Sequence, residues 1–242
     1  MPTRTEIEGY YKEFAGSVQF NDFRRINLRH EEIKALCDRF IPDGARVLEI
    51  GCGVGIISRH LARSASKVLS LDISETGVGI ARAHADLPAN EFLVLDVTEE
   101  GERLCGYGPF DAVLLADVIE HIPRERRPAL FRTIEGVLAP AGVVLLTYPS
   151  PEYQEYLRCE RPEALQVVDE TVELADLLTE TTLQPRYFQL AEVWCRDQYV
   201  HLALGRRQPF SPAELPASRW NRLACKVRNR WWRWRNRGLL RG

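Results

Sequence analysis

The sequence predicts a doubly wound α/β fold with a mostly parallel, seven-stranded sheet, and three observations predict it. Short apolar, β-rich runs alternate with helical spacing from residue 45 to residue 147. A glycine-rich turn sits where the first run should pass into a helix, and carboxylates close the first three runs. With 242 residues, 45% of them hydrophobic and 27% charged, the chain can bury one full core. That composition excludes a disordered tail or a disulfide-stapled miniprotein.

Taken in order, residues 1–40 carry helical spacing at Ile26, Ile33, Leu36 and Phe40, beside adjacent Tyr10 and Tyr11, and predict a helical lid over one end of the sheet. Parallel strands are expected at Ala45 to Ile50, Lys67 to Leu71, Phe92 to Leu95, Ala112 to Ala116 and Val143 to Thr147. Ser74 to His84 reads as a helix capped by Ser74, and Arg124 to Leu138 as another that stops before Pro140. Downstream, Val168 to Thr179 reads as helical, and Tyr187 to Trp194 and Tyr199 to Gly205 as two more strands, the last antiparallel. This places the main domain at 41–206, a proline-bearing linker at 207–218 and a basic helix at 219–242.

Charge is nearly balanced overall, with 32 Lys and Arg against 34 Asp and Glu. The balance hides a split: from Arg206 onward there are 11 basic residues and one acid, Glu214, so an acidic globule carries a basic tail. The six cysteines are scattered, with no Cys-x-x-Cys pair and no histidine at metal spacing, which predicts reduced thiols, no metal site and a cytoplasmic protein. The start of the chain does not read as a signal peptide, and no run of 18 uncharged apolar residues occurs.

The sharpest signal is Val47-Leu48-Glu49-Ile50-Gly51-Cys52-Gly53-Val54-Gly55. Glycines there let the backbone take positive φ and let a ligand approach with no Cβ in the way. Ile56 stands where the third glycine of a dinucleotide motif belongs, and Glu49 would repel a phosphate while suiting an ammonium or sulfonium. Asp72, about 20 residues past the loop, is placed to take both hydroxyls of a ribose, and Asp96 to accept from an adenine amino group.

Together with Phe110-Asp111-Ala112-Val113, Asp117-Val118-Ile119-Glu120-His121-Ile122-Pro123 and Leu138-Ala139-Pro140-Ala141-Gly142, these residues resemble the class I S-adenosylmethionine-dependent methyltransferases, in particular the group with small-molecule and quinone substrates. The resemblance spans residues 45 to 147, with looser agreement through Arg206; Ala141 departs from the family's first turn glycine. It implies a Rossmann-like methyltransferase fold with S-adenosyl-L-methionine as cofactor. Glu49, Gly51, Cys52, Gly53 and Gly55 would hold the methionine portion. Asp72 would bind the ribose, with Ile73 packing on the adenine; Asp96 and the Val97 amide would read the adenine edge; Ala116 and Asp117 would face the sulfonium.

A sulfonium methyl is already activated, so transfer needs a nucleophile held in line and, for a hydroxyl, a base. His121, at the rim after the fourth strand, is the candidate base, its alternative being an ordinary turn-former. Tyr10, Tyr11 and Arg29 in the lid, and Tyr148, Tyr153 and Tyr156 after the fifth strand, are candidate acceptor-site residues, with core packing as their alternative. No Asn-Pro-Pro-Tyr or Asp-Pro-Pro-Tyr follows the fourth strand, which argues against a flipped nucleic-acid base. No acid cluster of the kind catechol methyltransferases use for a divalent ion is evident either. O-methylation of a small metabolite, or of a glycan, quinone or lipid-linked intermediate, is therefore expected. N- or carboxyl-methylation, or a silent module acting through its tail, are the alternatives.

In that tail, residues at 100° steps place Trp220, Leu223, Ala224, Val227, Trp231 and Trp234 on one face, with Arg222, Lys226, Arg230, Arg233 and Arg237 largely opposite. Such a helix suits the interface of an anionic membrane, predicting a peripheral location at the inner surface. A partner protein or single-stranded nucleic acid are the rival occupants.

Overall fold

The computed structural model describes residues 6, 9, 10, 27–85, 87–193 and 197–206. All of them belong to a compact unit formed by Met1–Arg207. The expected linker and basic helix, Tyr11 and most of the expected lid lie outside the described residues.

Seven strands form one sheet: β1 (Arg46–Ile50), β2 (Lys67–Asp72), β3 (Asn90–Val94), β4 (Phe110–Ala116), β5 (Leu138–Pro149), β6 (Gln184–Val193) and β7 (Asp197–Gly205), in the order β3-β2-β1-β4-β5-β7-β6. The first five run parallel, and β7 is antiparallel to both β5 and β6. The strand order reverses at β1, where open α/β sheets offer a crevice at the carboxyl ends of their strands.

Alternate residues of each strand point to opposite faces, and both faces are apolar. On one face Leu48, Leu69, Val113, Leu115, Val144 and Leu146 pack against Leu130, Phe131 and Ile134, which lie on helix α4 (Arg127–Val137). On the other, Val47, Val68, Leu114 and Leu145 pack against Ile33 and Leu36 of α1 (Leu28–Phe40) and Ile57 and Leu61 of α2 (Ile56–Leu61). Asn27 caps α1 by accepting from the Arg29 N–H, and Ser74 caps α3 (Glu75–His84) by accepting from the Gly77 N–H, as the sequence predicts for Ser74.

β3, β6 and β7 begin two to three residues before the expected strands, and three further elements differ more. The helix expected from Arg124 begins with a 3-10 turn at Arg124–Arg126 and becomes α-helical only at Arg127, where Pro128 suits the first turn. β5 starts at Leu138 rather than Val143, because Leu138 pairs with Phe110 across a register shift. The helix expected from Val168 is confined to α6 (Leu174–Thr179). Its first half is extended because tertiary bonds claim the backbone: the Val168 carbonyl accepts from His121, and the Glu170 N–H donates to the Glu120 carbonyl. Neighbouring β-branched Val167, Val168, Thr171 and Val172 offer little helix propensity to oppose this. One further helix, α5 (Pro151–Glu160), is added between β5 and α6, with Ser150 as its cap and Pro151 in its first turn.

Candidate active site

The carboxyl ends of β1 to β4 open on a cavity of about 460 Å³, within the size range of small-molecule sites. Gly51, Asp72, Ile73, Asp96, Val97, Asp117 and His121, all predicted from the sequence, line it together. One open cavity therefore receives residues from four strand ends.

Gly51 turns the chain out of β1 with φ +78°. A Cβ built there would sit 2.3 Å from Val118 Cγ2, so the residue must be glycine for the loop to close on the segment after β4. Asp72 ties the loop to β2: one oxygen accepts from the Gly53 N–H at 2.7 Å and the other from the Ser74 N–H at 2.8 Å. Burial pushes its carboxyl above the usual range, opposed by those backbone donors. Asp96 accepts from the Thr98 N–H and hydroxyl at 2.9 and 2.7 Å. Each carboxylate has about four lone-pair sites, so both keep acceptor capacity toward a ligand's hydroxyls or amino group. Leu71, Ile73, Leu95 and Val97 supply apolar walls between them.

Glu49 lies below this cavity and not in its wall. It is almost wholly buried and accepts from the hydroxyls of Ser70, at 2.8 Å, and Ser58. Burial pushes its carboxyl up to about 7, the two hydroxyls opposing. Cys52, Gly53, Gly55 and Ala116 also stand outside the lining; Cys52 packs instead with Val78, Ala81 and Phe92.

Asp117 holds φ +56°, unusual for a residue with a side chain. Its N–H donates to the Thr147 carbonyl at 2.9 Å, and its carboxylate accepts from the Thr147 hydroxyl at 2.8 Å. Arg29 forms a two-pronged ion pair with it, Nε lying 3.0 Å from Oδ2 and Nη2 contacting Oδ1. Of the other lid candidates, Tyr10 is half-buried, its hydroxyl raised by burial and by the charge of Asp169. Tyr148 is fully buried in the core, and Tyr153 packs between Tyr156 and Tyr199 at ring distances of 6.1 and 5.7 Å.

His121 lines the cavity from a 3-10 turn at Ile119–His121. Its Nδ1 is 2.7 Å from the Val168 carbonyl and donates to it, which sets the tautomer and makes Nε2 the acceptor nitrogen. Burial holds its pKa below the usual 6.5. Next to it Glu120 Oε1 is 3.9 Å from Nε2, and burial beside Asp117 drives the Glu120 carboxyl up, toward its neutral form.

Sequence reasoning missed the far wall, formed by Gln166, Val167, Val168, Asp169 and Glu170. Their positions come from tertiary bonds: Arg127 pairs with Glu170 at 3.0 Å, and Arg158 donates to the Asp169 carbonyl at 3.1 Å. Local spacing carries no trace of them. Buried His201, which reads from sequence as structural, contacts Arg29 at 3.0 Å. Among the described residues, no group of three or more His, Cys, Asp or Glu is arranged to hold a metal ion.

The donor set fits a sulfonium nucleoside better than a nucleotide. Carboxylates line the cavity beside a glycine cradle, so hydroxyl and amino donors and a positive charge are welcome there and a phosphate is not.

The family described as a methyltransferase domain matches residues 23–208. Among curated proteins, the chain is 33% identical over 144 residues to a ubiquinone biosynthesis O-methyltransferase of Caulobacter vibrioides, covering 55% of this chain and 54% of that one. It is 26% identical over 174 residues to its namesake from Leptothrix cholodnii, covering 70% of each. The chain spans about half the length of several curated relatives it matches, from 40% to 54% in three of them. In structure it is similar to a magnesium protoporphyrin IX methyltransferase of Synechocystis PCC 6803 crystallised with bound SAH (TM-score 0.64, 21% identity, 85% of this chain and 100% of that one). It is likewise similar to the N-methyltransferase NodS of Bradyrhizobium japonicum (TM-score 0.65, 15% identity, 82% and 100%). At these identities the two structures speak to the shared fold.

Proposed function

The chain belongs to the methyltransferase-domain family, and we propose that it transfers the methyl group of S-adenosylmethionine to a hydroxyl of a small quinone-type phenol. The observation that carries this reading is the single cavity that Gly51, Asp72, Asp96, Asp117 and His121 line together. The relatives' common name, ubiquinone biosynthesis O-methyltransferase, supports a hydroxyl on an aromatic ring as the acceptor.

When bound, the cofactor supplies an electrophilic methyl on a positively charged sulfur. Asp72 would accept from the ribose hydroxyls, Asp96 and the Val97 amide would read the adenine edge, and Ile73 would pack on the base, all four lining the same cavity. Asp117, held by Arg29 and Thr147, edges the region between glycine loop and acceptor. Glu49, outside the lining, ties β1 to α2 and β2 by accepting from Ser58 and Ser70. Val118, Ile122, Pro123, Val167 and Val168 form the apolar end, suited to an aromatic ring, and help keep water from it. There the neutral His121 Nε2 takes the acceptor's hydroxyl proton as the oxygen attacks, its imidazole held by the Val168 carbonyl.

Transfer of labelled methyl to a catechol-type phenol, a benzoic acid and a primary amine of matched size tests the reaction. The phenol alone should be labelled well above background; labelling confined to the acid or the amine would replace the hydroxyl with that acceptor.

For location we favour an anionic membrane surface contacted by residues 219–237, whose eight basic residues accompany four of the five tryptophans. Each basic side chain near such a surface contributes about 1 kcal/mol. No helix among the described residues is long and apolar enough to cross a membrane. Full-length protein should pellet with anionic vesicles, and protein lacking residues 218–242 should not; equal pelleting of both would refute this.

A further inference from the structure

Arg29 and His201 are distant in sequence and absent from the cavity lining, and Arg29 joins His201 to the carboxylate of Asp117, which lines the cavity. The guanidinium is enclosed on three sides. Nε and Nη2 hold the two oxygens of Asp117, Nη1 is 3.0 Å from His201 Nε2, and the Tyr199 ring lies beneath, its centroid 3.7 Å from Cζ. Arginine carries donors only, so His201 Nε2 must be the acceptor and its proton must reside on Nδ1. Burial, reinforced by the positive charge of Arg29 itself and opposed by Asp117, pushes His201 down to about 4, so it is neutral in any ordinary assay.

The strand register explains why this nitrogen can act at a site it does not touch. His201 of β7 is paired directly with Thr147 of β5. Thr147 contacts Asp117 through both its carbonyl and its hydroxyl. Two adjacent positions of one antiparallel pair therefore bear on the same carboxylate, one directly and one through Arg29. Asp117 needs such support, because its positive φ is a conformation a side-chain-bearing residue keeps only when its surroundings impose it.

We propose that His201 is a positioning residue for the active site: by accepting from Arg29 it aims the guanidinium that fixes Asp117 in the cavity wall. This rests on the reading of that cavity as the S-adenosylmethionine site. Without the acceptor, Nη1 is left buried with no lone pair opposite it, and the guanidinium is less firmly oriented on Asp117. The site would then lose an oriented carboxylate while the sheet and its core stay in place.

Titration calorimetry with S-adenosylhomocysteine on the full chain tests this through His201→Leu, which removes the acceptor, and His201→Gln, whose amide oxygen can replace it. We expect His201→Leu to weaken binding about tenfold and His201→Gln to recover most of that loss. In an Arg29→Ala background, adding His201→Leu should change the affinity less than about twofold, because His201 acts only through Arg29. Undiminished affinity in His201→Leu, or a tenfold loss that persists without Arg29, would overturn the proposal. Nitrogen NMR of the unsubstituted protein reads the contact even if a variant fails to fold: the neutral Nδ1–H tautomer is expected, and an Nε2–H tautomer contradicts it. Absence of S-adenosylhomocysteine binding by the unsubstituted chain would instead overturn the cofactor reading, leaving the tautomer to report on the Arg29 contact separately.

Discussion

His121 and Glu120 are adjacent in sequence, yet burial acts on them in opposite senses, depressing the imidazole's pKa and raising the carboxyl's. Both are thereby held toward their neutral forms, so the imidazole stands as a base without first losing a proton to solvent. Because its pKa lies below the ordinary 6.5, the turnover limb it governs should rise with pH below that value and be flat through neutrality and above. His121→Ala should lower turnover about a hundredfold or more and abolish that acidic limb, while S-adenosylmethionine binding stays near its original strength. A pH profile of kcat for both proteins checks this; an unchanged profile in the variant would leave His121 as a turn-former only. At this scale the sequence is legible where chemistry and position coincide: Asp72 ends β2 and Asp96 follows β3 by two residues, and their placement follows from the strand pattern alone. Arg29, Glu120, Asp169 and His201 were harder to read. Their roles depend on partners up to 172 residues away, and nothing local distinguishes a buried histidine that accepts from an arginine from one that fills space.

Among the elements, the parallel strands were readable because both faces of the sheet are apolar, so the runs around Leu48, Leu69, Leu114 and Leu145 are continuous and bounded by polar turns. The segment before α6 was not, because His121, Glu120 and Arg127 take its polar groups in an extended form that no periodicity announces. α5 had a legible start in Ser150-Pro151, but the run that follows is too polar to stand out as an amphipathic helix. The glycine loop joins the element scale to the site. Gly51→Ala puts a Cβ into Val118 and keeps a positive φ, so it should cost about 1–3 kcal/mol of stability and weaken S-adenosylhomocysteine binding. Gly79→Ala, in the open face of α3, should be neutral or stabilising by up to about 1 kcal/mol. Denaturant melts of the two variants read the contrast, and equal stability would mean that the loop tolerates a side chain and that the close approach to Val118 is not required.

For the whole molecule, the fold brings two bodies of chemistry to the reversal point of strand order. β1, β2 and β3 supply the glycine turn and two acids, and β4 with the 166–170 segment supplies the imidazole and an apolar wall. Asp72, Asp96, Asp117, Glu125, Asp169 and Glu170 line the cavity where a cationic ligand would enter, whereas the chain from Arg206 onward carries 11 basic residues and one acid. The cavity and the tail proposed to contact a membrane are thus separated along the chain, and removing residues 218–242 should alter where the protein resides before it alters what the cavity binds. The central claim is that the cavity at the ends of β1 to β4 accepts a sulfur nucleoside through Asp72 and Asp96. Calorimetric titration of S-adenosylhomocysteine into the full chain and into a D72A/D96A variant tests it most directly. One site per chain with an affinity lost in the variant is the predicted result; no binding to either protein, or equal binding to both, would contradict it.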